Sequence, residues 1–214
     1  MGTFIYIIVV TVALAILLAV GWRLGSRRYK LPCPAWLRWC VELDNPFSKT
    51  CRAATIVEHL GLSPGMVVLD AGCGPGRLTI PLARQVGANG VVVAMDLQAG
   101  MLTRVQEKAQ AENLFNIEFL HAGLGEGKLA KARFDRVLLV TVLGEIPDRK
   151  KALQEIFAAL KPGGILSVTE LIFDPHFQRR STVASLAGEV GFREKDFYGQ
   201  RLAFTMHLEK PRNT

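Results

Sequence analysis

Apolar and polar positions along this chain follow two different periods, and the changes from one to the other predict its elements. Residues 3–22, TFIYIIVVTVALAILLAVGW, hold twenty positions without a charge. At about 1.5 Å per residue such a run spans an apolar layer of about 30 Å, so it predicts a transmembrane helix. From Ser48 to Leu60 the apolar residues Cys51, Ala54, Ile56, Val57 and Leu60 recur at helical spacing, and GLSPG ends the run. Beyond it, short β-branched runs predict strands at 66–70, 91–95, 116–120, 135–140 and 164–170. Helical patterns at 76–86, 99–112, 148–160 and 181–190 lie among them, and two closing runs occupy 193–199 and 201–209. Strands separated by helices imply a parallel sheet covered on both faces. No helix-length segment separates the two closing runs, so the last strand returns antiparallel through a tight connection near Gly199-Gln200.

Charge sharpens the reading of the first run. The chain has 214 residues, half of them apolar, a formal charge of +7 and a pI near 9.5. That is enough for one domain with an appendage, and the basic balance calls for an acidic neighbour. Arg23, Arg27, Arg28 and Lys30 follow the apolar run directly, which places the remaining chain in the cytoplasm; a cleaved signal peptide carries its charge before the run. Residues 1–30 are therefore expected to be a single-pass membrane anchor with a basic flank. Residues 31–60 are expected to be an amphipathic linker and lid helix. In LPCPAWLRWCVELDNPF, Trp36 and Trp39 either rest at the headgroup level or cap the domain. Residues 61–214 are expected to form the main domain. Nucleic acid is not expected as a partner, because no basic stripe is interleaved with aromatics. Oligomeric state is not readable from these patterns.

Cys33, Cys40, Cys51 and Cys73 form no C-x-x-C pair, so neither a disulfide framework nor a standard zinc site is expected, and no metal is assigned. A soft-metal trio of Cys33, Cys40 and Cys51 is the alternative to plain apolar packing. Pro162-Gly163-Gly164 reads as a helix stop and turn. Arg179, Arg180, Arg193 and Lys195 read as a solvated face or a site for an anionic headgroup.

The chemistry concentrates in VVLDAGCGPGRLTI. A dinucleotide fingerprint needs a glycine where Arg77 stands, and a phosphate-binding P-loop needs a lysine that is missing after Gly76. The spacing D-x-G-x-G-x-G instead suits an amino-acid nucleoside, its carboxylate drawn to backbone N–H groups and the helix start, with Asp70 holding its ammonium or ordering the loop. Asp96 ends the next strand, twenty residues after Gly76. A carboxylate there can accept both ribose hydroxyls and repels a 2′-phosphate.

VLDAGCGPG, AMDLQAGML, FDRVLLVTVLGEIPD, LKPGGILSVTE and GFREKDFYG with FTMHLEKP together resemble a class I S-adenosylmethionine-dependent methyltransferase, over about Asn45 to Pro211. The likeness is greatest to the quinone-biosynthesis type. It implies an α/β, Rossmann-like, doubly wound sheet of seven strands with a reversed last strand, here preceded by one transmembrane helix. It implies S-adenosyl-L-methionine as cofactor, with Asp70, Gly72, Cys73, Gly74 and Gly76 around the methionine portion, Asp96 on the ribose and Leu97 beside the adenine. Thr141 falls at the sulfonium and substrate mouth. Gly123 and Leu124 stand where the family has an acid near the adenine amino group, leaving that group to backbone carbonyls or water. Gly144 stands where many relatives carry a histidine. A base is needed only where the acceptor loses a proton, and Glu145 and His121 are the candidates; Glu170 and Tyr198 end strands on the substrate side. The expected activity is methyl transfer to a lipophilic small molecule, a quinone precursor or a phospholipid headgroup. The alternatives are a methyltransferase of small thiols, a non-catalytic scaffold that keeps the cofactor fold, and a dinucleotide oxidoreductase.

Overall fold

The computed structural model describes residues 2–29 and 49–212 of the protein. The apolar start of the chain is helix α1 (Gly2–Tyr29). After a short 3₁₀ turn (Lys49–Cys51) come α2 (Ala53–His59), β1 (Val67–Ala71), α3 (Thr79–Val86), β2 (Val91–Asp96), α4 (Ala99–Ala111) and β3 (Ile117–His121). β4 (Phe134–Val140), α5 (Arg149–Ala159), β5 (Leu160–Leu171), α6 (Arg180–Val190), β6 (Arg193–Gln200) and β7 (Ala203–Glu209) complete the chain.

The seven strands lie in the order β3-β2-β1-β4-β5-β7-β6. β1 to β5 pair in parallel, and β7 runs antiparallel to both β5 and β6. The expected doubly wound sheet with a reversed last strand is what forms. Chain order reverses beside β1, so the carboxyl ends of β1, β2 and β4 open onto a crevice of the kind where ligands bind in such sheets.

Period-2 burial divides the core between the two faces. On one face Leu69, Val93, Val137, Leu139, Leu166 and Val168 pack with Leu153 and Ile156 of α5 and Val183 of α6. On the other, Val68, Val92 and Leu138 pack with Ile56 and Leu60 near α2 and with Leu82 of α3. α2 is thus part of the core, although the sequence reading assigned it to a lid.

Four local expectations change. The helix expected over Ser48 to Leu60 is interrupted at Arg52, whose ψ of 142° is extended. The helix expected from 76 begins at Thr79, because Gly76 has φ +86° and cannot continue a right-handed turn. Pro162-Gly163-Gly164 lies inside β5, where pairing with β4 steps from Phe134↔Leu160 to Arg136↔Ile165. Gly163 N–H donates to the Lys210 carbonyl at 2.8 Å and Lys210 N–H to the Gly164 carbonyl at 2.9 Å, so tertiary pairing holds this segment in the sheet. The run expected over 3–22 is helical as α1, but over the described residues no helix is long and apolar enough to cross a membrane. A bilayer crossing by α1 is therefore not supported on the described residues. Cys33, Cys40, Trp36, Trp39 and the lid-or-bilayer question at 31–44 lie outside the described residues.

One polar row crosses the sheet. Asp196, His207 and Ser167 are register partners on β6, β7 and β5. Ser167 Oγ and His207 Nε2 are buried without a hydrogen-bond partner, and burial holds the His207 imidazole neutral, its pKa lowered to about 4. A buried unpaired hydroxyl costs about 1–3 kcal/mol. Ser167→Ala is therefore expected to leave stability in chemical denaturation unchanged or higher, whereas Ile56→Ala should cost about 2–5 kcal/mol. A clear loss in Ser167→Ala would show that its hydroxyl has a partner in solution.

Candidate active site

The turn after β1 is built on left-handed glycines. Gly72, Gly74 and Gly76 have φ of +73°, +51° and +86°, a region that side chains other than glycine seldom adopt. At Gly72 the requirement is also steric, since a Cβ would lie 2.5 Å from Val142 Cγ2 beyond β4. The N–H groups of this turn are already used. Gly72 and Cys73 donate to the Met95 carbonyl at 2.7 and 3.0 Å, Gly74 to Asp96 Oδ2 at 2.9 Å and Gly76 to the Cys73 carbonyl at 3.1 Å. The turn therefore offers a ligand an edge clear of side chains, and not the free donors that the sequence reading assigned to it.

Asp70 and Cys73 point inward. The Thr79 hydroxyl donates to Asp70 Oδ2 at 2.7 Å, so Asp70, which is buried, orders the start of α3. Burial pushes its carboxyl up to about 6, against the lowering effect of Thr79. Burial, then Asp70 and Asp96, drive the Cys73 thiol far above its ordinary range; it packs with Ala94, Leu102 and Val105. Among the described residues no group of three metal-ligating side chains exists.

Asp96 stands at the centre of the ligand edge. Its two oxygens accept from Gly74 N–H and Gln98 N–H, each at 2.9 Å, and its burial raises the carboxyl against those bonds. Each oxygen keeps lone-pair capacity for a further donor. Leu97 beside it is 59% exposed. His121 is the register partner of Asp96 and lies 2.8 Å from the Leu97 carbonyl through Nε2. It ends β3, three strand spacings or about 14 Å from β4.

The loop after β3 departs from the sequence reading. Leu124 packs, partly buried, against the main core. Gly123 is buried, and a Cβ there would lie 2.7 Å from Glu126 Oε1 and 3.0 Å from Leu97 Cδ2. The Glu126 carboxylate thus lies over Gly123. Glu155 of α5 fixes this loop by accepting from the N–H groups of Gly125 and Leu129. No spacing rule pointed to Glu126; an exposed acid three residues after a glycine is the faint signal that was available.

The second wall follows β4. Thr141 adopts φ +56°, a strained value for a β-branched residue, and its N–H donates to the Thr169 carbonyl of β5 at 2.9 Å. Glu145 N–H then donates to the Val142 carbonyl at 2.9 Å. Gly144 leaves no room for a side chain, since a Cβ would lie 1.9 Å from the His176 carbonyl oxygen, which is why no histidine can occupy 144. Glu170, at the end of β5, is buried beside this wall. Tyr198 instead stacks on His59 at 3.9 Å, on the α2 side of the sheet.

Comparison with known proteins agrees with this geometry. Residues 68–164 match the family described as Methyltransferase domain. The chain is 37% identical to the demethylmenaquinone methyltransferase of Lactococcus lactis over 113 residues, 53% of this chain and 44% of that one. It is 35% identical to the ubiquinone/menaquinone biosynthesis C-methyltransferase UbiE of Vibrio vulnificus over 123 residues, 56% of this chain and 47% of that one. It spans about half the length of these curated relatives. A crystal structure of a SAM dependent methyltransferase from Aquifex aeolicus superposes with a TM-score of 0.73 at 21% identity, covering 84% of this chain and 100% of that one.

Two outcomes follow from the site's geometry. Gly72→Ala should lower the melting temperature and weaken any ligand held at the turn, because it meets both the φ and the Val142 contact. Glu145 and Glu170 are both pushed up to about 8, first by burial. A carboxyl raised in the folded state favours folding below its ordinary value of about 4.5, and this is lost as pH rises through about 8. The melting temperature of the ligand-free protein is accordingly expected to fall between pH 6 and 9, and to fall less in Glu170→Gln.

Proposed function

We propose that the protein, whose residues 68–164 match a methyltransferase domain, is an S-adenosylmethionine-dependent methyltransferase that methylates a lipophilic, quinol-type small molecule at a membrane surface. The observation that carries the reading is the joining of the glycine turn to Asp96, with Thr141 and Glu145 following β4 on the other side of Gly72. The residues present fit an adenosyl amino acid. The edge at Gly72 and Gly74 seats the methionine end, Asp96 accepts the ribose hydroxyls, Leu97 covers a face of the adenine, and Glu126 accepts from its amino group. His121 holds the Leu97 carbonyl and faces the Asp96 charge, a supporting role. Thr141 and Val142 border the reacting centre, and Glu145 is the base.

The bound cofactor supplies a methyl group on a positively charged sulfur. The chain's own task is to orient an acceptor in line with that group, exclude water and, for an acidic hydroxyl or an enol-like carbon, receive a proton. The names of the curated relatives supply the quinone class of acceptor. Membrane attachment is proposed through α1, supported by the twenty uncharged positions, the arginines after them and the exposed Phe4, Ile5, Tyr6, Ile7 and Ile8. The catalytic domain is then cytoplasmic.

Calorimetric titration of the protein with S-adenosylmethionine tests the cofactor assignment. Asp96→Ala should weaken binding by at least about tenfold and Glu126→Ala by several-fold. Absence of binding to the parent protein would favour the scaffold reading, and NADH titrated in parallel checks for an oxidoreductase. Incubation with methyl-labelled cofactor and a membrane lipid extract should label a quinol; label in a phospholipid headgroup would move the acceptor class. Alkaline carbonate should leave the full chain in the membrane pellet, and its release would remove the proposed anchor.

A further inference from the structure

Two exposed apolar side chains outside α1 are brought together at one end of the sheet. Phe173, just after β5, is 70% exposed, and Leu202, in the turn between β6 and β7, is 52% exposed. Ile172 N–H donates to the Leu202 carbonyl at 2.8 Å, and Leu171 is the register partner of Ala203, so the two segments run side by side. Strand direction fixes where they stand. β6 and β5 are both antiparallel to β7, so the β6–β7 turn lies at the carboxyl ends of the parallel strands, the end onto which the crevice opens. The 3₁₀ turn is held at the same end. A Cβ on Gly199 would lie 2.9 Å from Thr50 Cγ2, and the Cys51 carbonyl accepts from Arg77, next to the glycine turn.

The exposed charge around these two side chains has one sign. In the segments 49–51, 171–180 and 199–203 the exposed charged residues are Lys49, Arg179, Arg180 and Arg201. Lys49 precedes Thr50, and Arg201 adjoins Leu202. Arg179 follows Gln178, whose N–H donates to Glu170 of β5 at 2.8 Å. Arg180 is engaged by Glu194. Asp174 is half-buried and accepts from His176 N–H, and Glu170 is buried. A surface that suits this rim is apolar beneath an anionic face. A bilayer with anionic headgroups has both properties: phenylalanine and leucine enter the boundary of headgroups and acyl chains, while lysine and arginine stay among the phosphates. A second copy of the same rim would set like charges against each other, and a nucleic acid would leave the apolar pair in water.

We infer that Phe173, Leu202, Lys49, Arg179 and Arg201 form a rim that docks on an anionic lipid surface and turns the mouth of the crevice toward it, a placement that rests on the function proposed above. Docking covers the apolar pair. It also lets a lipophilic acceptor dissolved in the bilayer enter the crevice without first passing into water, a transfer that its apolar surface opposes. The rim orients the domain and takes no part in the transfer of the methyl group.

The test is hydrogen exchange, read by mass spectrometry, on the full chain saturated with S-adenosylhomocysteine. It is run in detergent, on phosphatidylcholine vesicles, and on vesicles in which about one-third of the lipid is phosphatidylglycerol. Peptides over 172–174 and 200–203 should exchange at least about fivefold more slowly on the anionic vesicles than in detergent, while 87–90, at the opposite end of the sheet, keeps one rate. Replacing all three cations by Gln (Lys49→Gln, Arg179→Gln, Arg201→Gln) should lower the protection to that on phosphatidylcholine. Phe173→Ser with Leu202→Ser should abolish it on both kinds of vesicle, with affinity for S-adenosylhomocysteine unchanged. All five side chains are exposed, so these variants keep the fold. Equal exchange in detergent and on vesicles overturns the docking, and equal protection on both kinds of vesicle overturns its anionic character. Protection in detergent that grows with protein concentration gives the face to a second copy and overturns the proposal. Failure of the parent protein to bind S-adenosylhomocysteine overturns the functional reading, whereas binding with an unprotected rim overturns the docking alone.

Discussion

The two backbone hydrogen bonds accepted by the Asp96 carboxylate hold the rest of the site in place. One comes from Gly74 in the turn after β1 and the other from Gln98 at the start of α4, so a single side chain locks two neighbouring loops against each other. Glycine turns with left-handed φ are loose by themselves, because glycine loses the most freedom on ordering. The Met95 carbonyl and the Asp96 carboxylate supply the acceptors that order this one. The same carboxylate keeps lone pairs facing the crevice, so holding the loop and meeting a ribose are compatible roles.

Two close approaches set the opposite wall. Gly72 admits Val142 and Gly144 admits the His176 backbone, so the segment after β4 is held between the glycine turn and the loop after β5. Arg77 adds a third tie by donating to the Cys51 carbonyl at 2.9 Å, which fastens the turn before α2 to the same loop. The rigid parallel strands fix the positions of these loops, and the loops carry the chemistry, an arrangement common to doubly wound sheets.

Charge is distributed against the protein's average. The chain is basic overall, yet the segments after β4 and β5 bring the charges of Glu145 and Asp174 to bear on Glu170. Many of the basic side chains form exposed ion pairs, Arg84 with Glu112, Arg133 with Glu118 and Lys150 with Glu189 among them, each of small energetic weight. The buried carboxyls matter more, because burial raises Glu145 and Glu170 by disfavouring their charged forms.

The sequence by itself determined what short-range periodicity and spacing encode. It held the alternation of strands and helices, the reversed closing strand, the glycine turn and the acid twenty residues beyond it, since each depends on neighbouring residues and the period of the backbone. Tertiary structure decided which of those side chains reach the crevice. Asp70 and Cys73 turn inward, Leu124 packs against the core, and His121 ends β3, three strands from β4. Glu126 fills the space above Gly123, and Gly144 and Pro162-Gly163-Gly164 take their roles from His176 and Lys210, partners far away in the chain. Local pattern states which face of a strand is apolar; the direction of a loop side chain depends on contacts between residues tens of positions apart, and only the packed sheet brings these together.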